Sequence, residues 1–192
     1  MKLVKECTTK TLEIKQSKFI AHLVPYDMYD ERLKSLKEQH PKARHFVVAW
    51  RYINAYDQIV EHCSDDGEPK GTSGKPTLAV LAGNDLINTA VIIVRYFGGT
   101  KLGTGGLVRA YSDACNDVIK ESDFIPYVKL EQHLFSVRYS DISLMEYRLD
   151  EEKILIHEKS FDEEGALIAI RTEKSIWERF SKENERLICI KE

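Results

Sequence analysis

The chain has 192 residues, its formal net charge at pH 7 is −3, and 43% of its residues are hydrophobic. This composition supports a buried core without disulfides and excludes an intrinsically disordered protein. The longest purely apolar runs, residues 90–94 among them, are far shorter than the ~20 residues that a transmembrane helix needs. The N-terminus has no apolar stretch of signal-peptide length, and the four cysteines form no Cys-x-x-Cys pair. We therefore expect a cytoplasmic protein with reduced cysteines and no membrane partner.

Charge and glycine content change near residue 126. Residues 1–126 have a net charge of +1 and contain nine of the ten glycines, whereas residues 127–192 have a net charge of −4 and contain one glycine. We place a domain boundary there and predict two domains, residues 1–126 and residues 127–192. Glycine permits close approach of the backbone to a ligand, so the first domain is where we expect a binding site.

The first domain combines strand and helix patterns. Residues 89–97 are apolar almost throughout, which is typical of a strand covered on both faces or buried at the centre of a sheet. We assign Asp27 as the N-cap of the first helix, which ends before Pro41. The predicted strands cover residues 11–15, 18–25, 44–52, 57–63 and 89–97, and the predicted helices include residues 29–36, 74–81 and 107–119.

The second domain has the element order strand, helix, strand, strand, helix, strand. These elements are predicted at residues 132–139, 142–149, 153–160, 166–172, 175–182 and 186–191. The order is that of the ferredoxin-like βαββαβ motif, with two helices on one face of an antiparallel sheet. The whole chain is therefore predicted to belong to the α+β class, and the second domain contains no catalytic pattern.

A glycine-rich segment, Arg95–Tyr111, is the most informative part of the sequence. Five glycines expose backbone N–H groups next to the start of a helix, and residues 86–112 contain three cations and no acidic residue. Both features favour a bound anion, above all phosphate. The candidate anion-binding or nucleic-acid-binding residues are Arg95, Gly98, Gly99, Lys101, Gly103, Gly105, Gly106 and Arg109. The alternative is that the glycines only permit a tight turn and close packing.

An acidic loop, Ser64–Ser73, precedes the second helix. It resembles a phosphate-binding loop at Gly74-Lys75, but Pro69 and Pro76 stand where that motif needs a glycine and a metal-binding hydroxyl. Its carboxylates could bind a hard cation or act as an acid/base pair, or they could cap the helix and pair with lysines. The candidate residues of this second loop are Asp65, Asp66, Glu68, Lys70 and Lys75. We predict no metal ion, no cofactor and no catalytic residue.

The two loops resemble the signature of the IMPACT/YigZ family. Residues 61–81 and 95–111 carry the signature, Lys15–Leu23 and Ala43–His45 resemble the N-terminal motifs of the family, and the second domain agrees in element order only. The resemblance implies a two-layer α/β N-terminal domain like domain IV of elongation factor G and a C-terminal domain like its domain V. Eukaryotic relatives have an additional N-terminal interaction domain and restrain a kinase that phosphorylates a translation initiation factor. We expect the bacterial form, which is without that extension.

The functional hypothesis is a non-enzymatic, translation-associated protein. It would bind RNA or the ribosome, or a protein partner in translation control, through the glycine-rich basic loop. The net charge of −3 favours modest, salt-sensitive binding. The alternative is a hydrolase or phosphate-ester-handling enzyme that uses Asp65, Asp66 or Glu68. Five aromatic residues could stack on bases, but on apolar strands such residues more often pack in a core. They are Phe46, Trp50, Tyr52, Tyr96 and Phe97.

Overall fold

The computed structural model describes residues 1–191, which form two compact units. The first unit ends at Tyr127 and the second begins at Val128. Within the described chain, no helix is long and apolar enough to cross a membrane.

The first unit is built on a five-stranded antiparallel sheet. The strands of that sheet are β2 (Thr8–Ile14), β3 (Ser17–Pro25), β4 (His45–Ile53), β5 (Ile59–Ser64) and β6 (Thr89–Tyr96), and β1 (Lys2–Val4) and β7 (Phe124–Pro126) form a separate two-stranded sheet. The helices of the unit are α1 (Tyr29–Gln39), α2 (Gly74–Gly83) and α3 (Thr104–Lys120). The strand order is β2-β3-β6-β4-β5, which places β6 in the middle. All residues of β6 except Tyr96 are buried, in agreement with its apolar sequence.

Helices cover both faces of this sheet. Side chains alternate along β6, so Val91 and Ile93 pack with α2 and α3, whereas Ile92 and Val94 pack with Leu36 of α1. The expectation of a two-layer domain is therefore wrong in this respect. An apolar strand exposes a hydrophobic surface on each side, and both surfaces need a covering layer. The coarser prediction of a mixed α/β fold with antiparallel sheets is confirmed.

Two features near the ends of the first unit differ from the sequence-based expectation. Asp27 does not cap α1, because it lies within a 3-10 turn (Tyr26–Met28) that precedes the helix, and no side chain caps either element. Residues 124–126, where we placed the boundary, form β7 and pair antiparallel with β1. Three-residue strands have too little periodicity to be recognised in sequence, and here tertiary pairing creates them.

The second unit is a four-stranded antiparallel sheet with two helices. Its elements are β8 (Glu131–Arg138), α4 (Ile142–Glu151), β9 (Ile156–Phe161), β10 (Gly165–Thr172), α5 (Lys174–Glu183) and β11 (Ile188–Lys191). The strand order β11-β8-β10-β9 is that of the split βαβ motif. Its core gathers Phe135 and Ile168 from the sheet with Met145 and Phe180 from the helices. The predicted element order of this part therefore agrees with the structure.

The connection between β7 and β8 should be the first site of limited proteolysis. Residues 127–130 belong to no strand or helix and Lys129 is exposed, whereas β7 is held by its pairing with β1. Trypsin at limiting concentration should cut after Lys129 and give two stable fragments, which mass spectrometry would identify. Lys129→Gln should abolish that cut. A first cut confined to residues 97–106 would contradict the division into two units.

Candidate functional site

The two loops singled out in the sequence leave the sheet at the same end. β5 ends at Ser64 and β6 ends at Tyr96, and both strands run antiparallel to β4, which lies between them. Antiparallel neighbours begin where their partners end, so the start of β4 is also at this end, and His45 pairs with Arg95. The glycine-rich loop, residues 97–106, and the acidic loop, residues 64–73, therefore lie beside each other and line a common cleft.

A buried ion pair connects the two loops. Arg95 Nη1 donates to Glu68 Oε1 at 2.5 Å, and the Tyr111 hydroxyl of α3 donates to the same oxygen at 2.9 Å. All three residues are buried, and Arg95 is only 6% exposed. The Arg95 guanidinium lies 5.4 Å from the centroid of the Phe19 ring, and that ring meets Tyr111 edge to face. A single carboxylate thus fixes the acidic loop to the central strand and to α3.

This network changes the charge expected at the glycine-rich loop. The sequence around Arg95 contains no acid, but the fold brings Glu68 against it, so Arg95 is not the free cation that the sequence suggested. Pairing is required because an isolated buried guanidinium is strongly unfavourable. Burial, followed by the nearby charge of Glu68, raises the pKa of Tyr111, which stays protonated as a donor. The buried Arg95 Nε has no partner within the described residues, which leaves one donor of this side chain unused.

Asp65 caps helix α2 from a distance in sequence. Its Oδ1 accepts hydrogen bonds from the Gly74 N–H at 2.8 Å and the Ser73 hydroxyl at 2.7 Å, and its Oδ2 accepts one from the Gly71 N–H at 2.7 Å. Partial burial raises the pKa of Asp65, but these hydrogen bonds, led by that of Gly71, together lower it below its usual value. The start of α2, where the sequence resembles a phosphate-binding loop, therefore already holds a carboxylate of the protein itself.

Asp66 fixes the acidic loop to the start of β4. Its Oδ2 accepts a hydrogen bond from the Phe46 N–H at 2.6 Å, and its carbonyl oxygen accepts one from His45 Nδ1 at 2.8 Å. His45 Nε2 lies 4.0 Å from Glu68 Oε1. Asp65, Asp66 and Glu68 thus all accept hydrogen bonds from protein donors, which supports the interpretation that these acids are structural.

The structure gives little support for a metal site or for a cysteine nucleophile in this region. Within residues 1–191, no group of three or more His, Cys, Asp or Glu side chains is placed to hold a metal ion. Burial and then the charge of Asp65 raise the pKa of the Cys63 thiol, which disfavours the reactive thiolate. The neighbouring His62 stacks on Trp50, with ring centroids 5.1 Å apart.

The five glycines have different roles. A Cβ atom on Gly98 would lie 2.0 Å from the Gln16 carbonyl carbon, so this glycine permits close packing against the β2–β3 turn. Gly99 and Gly103 adopt φ angles of +87° and +71°, which favour glycine. Gly105 faces open space, whereas a Cβ on Gly106 would lie 3.1 Å from Leu102 Cβ. The close-packing alternative therefore accounts for Gly98, but not for Gly105.

The start of α3 is open, unlike that of α2. Its N-cap is Gly103, which has no side chain, so the first N–H groups of this 17-residue helix have no capping side chain. Gly103 and Thr104, at this helix start, line a cleft of about 360 Å³, here called the helix cleft. Its lining includes Glu68, Arg95, Phe97, Lys101, Gly103 and Thr104. Arg109 is exposed on the first turns of α3, where its Nε lies 3.4 Å from the Gly105 carbonyl oxygen.

A second cleft, of about 380 Å³, shares Arg95 and Phe97 with the first and is here called the strand cleft. Its lining residues are Lys42, Arg44, His45, Arg95, Tyr96 and Phe97. Sequence analysis did not assign a site role to the exposed Lys42 and Arg44. The pairing of His45 with Arg95 brings them next to the glycine-rich loop, and an antiparallel register between the predicted strands could have revealed it.

Lys70 and Lys75 do not join this arrangement. Both side chains are exposed, neither lines the helix cleft or the strand cleft, and no ion pair with Asp65 or Asp66 is found in the described structure. The Lys75 side chain lies along the turn at Gly71. The proposed pairing of these lysines with the acidic loop is therefore absent, because backbone donors occupy the carboxylates instead.

Comparisons with known proteins place this site within a family. The family model of the Impact N-terminal domain matches residues 15–119. An "IMPACT family member" of Haemophilus influenzae is 38% identical over 178 residues, which cover 89% of this chain and 84% of that protein. "IMPACT family member YigZ" of Escherichia coli is 37% identical over 137 residues, covering 70% of this chain and 67% of that protein. A solved structure, "Crystal structure of an hypothetical protein", has a TM-score of 0.74 at 27% identity and covers 98% of this chain and 95% of its own.

The fold and these matches define a two-unit α+β protein with an Impact-type first unit. The chain belongs to the IMPACT family, which confirms the resemblance drawn from its two loops. Both clefts are lined by residues within the matched range.

Loss of the Asp65 cap should destabilise the first unit in a pH-dependent manner. Asp65→Ala should lower the free energy of unfolding by about 1–2 kcal/mol at pH 7, the usual contribution of a capping carboxylate. The lowered pKa means that the stabilisation is present above the ordinary pKa of Asp and is lost as the pH falls through the folded-state value. The deficit of the variant should therefore shrink below about pH 4. Urea unfolding at several pH values measures this.

The control for this prediction is Asp27→Ala. Asp27 makes no capping hydrogen bond, so its replacement should change stability by less than about 0.5 kcal/mol at every pH. A deficit of Asp65→Ala that persists unchanged at pH 3 would show that the carboxylate is not the stabilising group.

Removal of the Glu68 carboxylate should cost more than removal of Asp65. Glu68→Ala leaves the buried Arg95 without a counter-ion and Tyr111 without its acceptor, so we expect a loss of about 3–5 kcal/mol in the free energy of unfolding. The double variant Glu68→Ala/Arg95→Met should recover part of that loss, since no buried charge remains unpaired. A cost for Glu68→Ala no larger than that of an exposed residue would contradict the buried network.

Proposed function

We propose that this protein binds RNA, free or within the ribosome, through phosphate groups held at the helix cleft and the strand cleft. It acts as a non-enzymatic, translation-associated factor. The observation that carries the proposal is the open start of α3, where no side chain caps the helix and where Gly103 and Thr104 line a cleft that also contains Lys101. The partial positive charge of a helix start favours a bound anion. Arg95, whose buried Nε has no partner within the described residues, also lines this cleft.

The distribution of charge favours an extended polyanion over a small one. Lys101 is exposed at the helix cleft, Arg109 is exposed on the first turns of α3 but does not line either cleft, and Lys42 and Arg44 are exposed at the strand cleft. A polynucleotide presents phosphates in a row and can engage both groups of cations at once. The net charge of −3 limits long-range attraction, so the binding should be modest and local.

The connection with translation rests on the family and on the fold it implies. The family resemblance suggests units like domains IV and V of elongation factor G, and we propose that likeness for the first and the second unit. Such a likeness would suit contact with ribosomal RNA. Binding to a protein partner in translation control remains the competing outcome for the experiment below.

The hydrolase alternative has weaker support. It requires Asp65, Asp66 or Glu68 as a metal ligand or general base, but each of these carboxylates accepts hydrogen bonds from protein donors. Asp65 in particular is held by three groups of the turn that begins α2. We therefore expect replacement of these carboxylates to lower the stability of the fold, whether or not the protein has a hydrolytic activity.

Charge reversal at the helix cleft should weaken RNA binding uniformly across sequences. Lys101→Glu/Arg109→Glu removes two of the four exposed cations, and phosphate contacts position RNA without reading its bases. For the natural chain we expect a log–log salt slope of about −2 to −3, because each neutralised phosphate on a single strand contributes about −0.7. In the double variant the slope should fall to about −1 to −1.5. Fluorescence anisotropy between 25 and roughly 200 mM salt measures both quantities.

The matched control reverses two exposed lysines elsewhere. Lys34→Glu/Lys182→Glu changes the net charge by the same amount on α1 and α5, and it should leave the salt slope nearly unchanged. If both double variants lose the same RNA affinity, the effect arises from net charge and not from the helix cleft. Ribosome co-sedimentation that is insensitive to Lys101→Glu/Arg109→Glu would indicate a protein partner, and absence of salt-dependent RNA or ribosome binding by the natural chain would overturn the proposal.

A further inference from the structure

Phe97 is an exposed aromatic residue at the centre of the proposed binding surface. It follows directly on β6, its side chain is 56% exposed, and it lines both the helix cleft and the strand cleft. The buried strand ahead of it would have favoured a core position, but the chain leaves the sheet one residue earlier. A single exposed apolar residue is common on protein surfaces, so its exposure alone implies nothing. However, Phe97 also lines two clefts that contain cations, and this position suggests a role in binding.

The backbone next to Phe97 is held in place. The Gly98 N–H donates to Ser17 Oγ at 3.1 Å, and the Gly98 Cα packs so closely on the Gln16 backbone that no Cβ fits there. On its other side, Arg95 is fixed by Glu68, and its guanidinium lies 5.8 Å from the centroid of the Phe97 ring. An aromatic ring mounted on a fixed backbone loses little conformational freedom when a flat ligand stacks on it.

Both clefts that share the Phe97 ring are also lined by cations. Lys42 and Arg44 line the strand cleft, Lys101 lines the helix cleft, and Phe97 is shared by the two. A nucleic-acid strand that places phosphates in both clefts must pass over the ring, where a base can lie flat on it. Paired bases inside a duplex cannot do so, whereas bases of a single strand or a loop can be splayed out and stacked on aromatic side chains.

From this arrangement we infer that the ligand is single-stranded RNA and that Phe97 stacks on one of its unpaired bases. The inference rests on the proposed function and narrows its substrate class. Stacking on a π face tolerates every base, so the site discriminates unpaired from paired RNA and not one sequence from another.

The inference is tested by replacing the ring and comparing RNA forms. The probes are a labelled 12-nucleotide oligouridylate, a duplex of the same length, and inorganic polyphosphate as a competitor without bases. The natural chain should bind the oligouridylate at least about tenfold more tightly than the duplex. Phe97→Ala should lose about tenfold in affinity for the oligouridylate, within the range expected for one stacked base, and little for the duplex. Phe97→Leu should behave like Phe97→Ala, whereas Phe97→Tyr should keep the natural affinity.

A spectroscopic readout separates stacking from mere packing. Phe97→Trp should retain RNA binding, and the fluorescence of the added indole should be quenched by oligouridylate but not by polyphosphate, because only the former carries a base. The control Phe161→Ala alters a residue of the second unit that is 60% exposed, and it should change neither affinity nor salt slope. The melting temperature of Phe97→Ala should equal that of the natural chain, since the side chain is largely outside the core.

The outcomes distinguish this inference from the proposed function. If Phe97→Ala binds oligouridylate like the natural chain while Lys101→Glu/Arg109→Glu loses affinity and salt slope, the stacking role is wrong and phosphate binding stands. Equal affinity for duplex and single strand would likewise overturn the stacking role alone. If the natural chain binds no RNA at low salt, both fail.

Discussion

The buried Glu68–Arg95–Tyr111 network is the interaction on which the rest of the candidate site depends. A guanidinium at the end of the central strand can be buried only with a counter-ion, and the counter-ion comes from a loop 27 residues earlier in the chain. The same carboxylate accepts the Tyr111 hydroxyl, which ties α3 to this loop. Because the network joins the acidic loop, β6 and α3, it sets the position of the helix start relative to the cleft that it borders. The role of the acidic loop at the site is therefore structural: it positions the start of α3 next to the cleft.

The two helix starts of this region illustrate how similar sequences acquire opposite electrostatic roles. Both α2 and α3 follow glycine-containing loops, and the first backbone N–H groups of each helix have no acceptor within the helix itself. At α2 the protein supplies its own anion, Asp65, whereas at α3 the N-cap is Gly103 and no side chain caps the helix. An external phosphate is therefore favoured at α3 and is opposed at α2 by a carboxylate already in place. In the proposed function, this asymmetry, rather than the number of glycines, favours phosphate binding at the glycine-rich loop.

Family membership agrees with a site concentrated in one unit. Within the described chain, the residues lining the two clefts fall between positions 42 and 107, inside the range matched by the Impact N-terminal domain. The second unit has a net charge of −4 and its own core. Its acidic character does not suit contact with a phosphate backbone, so the proposed binding by the first unit requires local cations and not the charge of the whole chain.

Local sequence patterns predicted the main secondary-structure elements and the family. The geometry of the candidate site depends on the tertiary structure. The apolar run of β6, the helical periodicity of α3 and the element order of the second unit depend on neighbouring residues, and all three agree with the structure. The pairing of Glu68 with Arg95, the strand cleft around Lys42 and Arg44, and the pairing of β1 with β7 were not predictable in this way. Each joins residues far apart in the chain. Such contacts follow from strand register and from the need to compensate buried charge, and local periodicity of the sequence predicts neither.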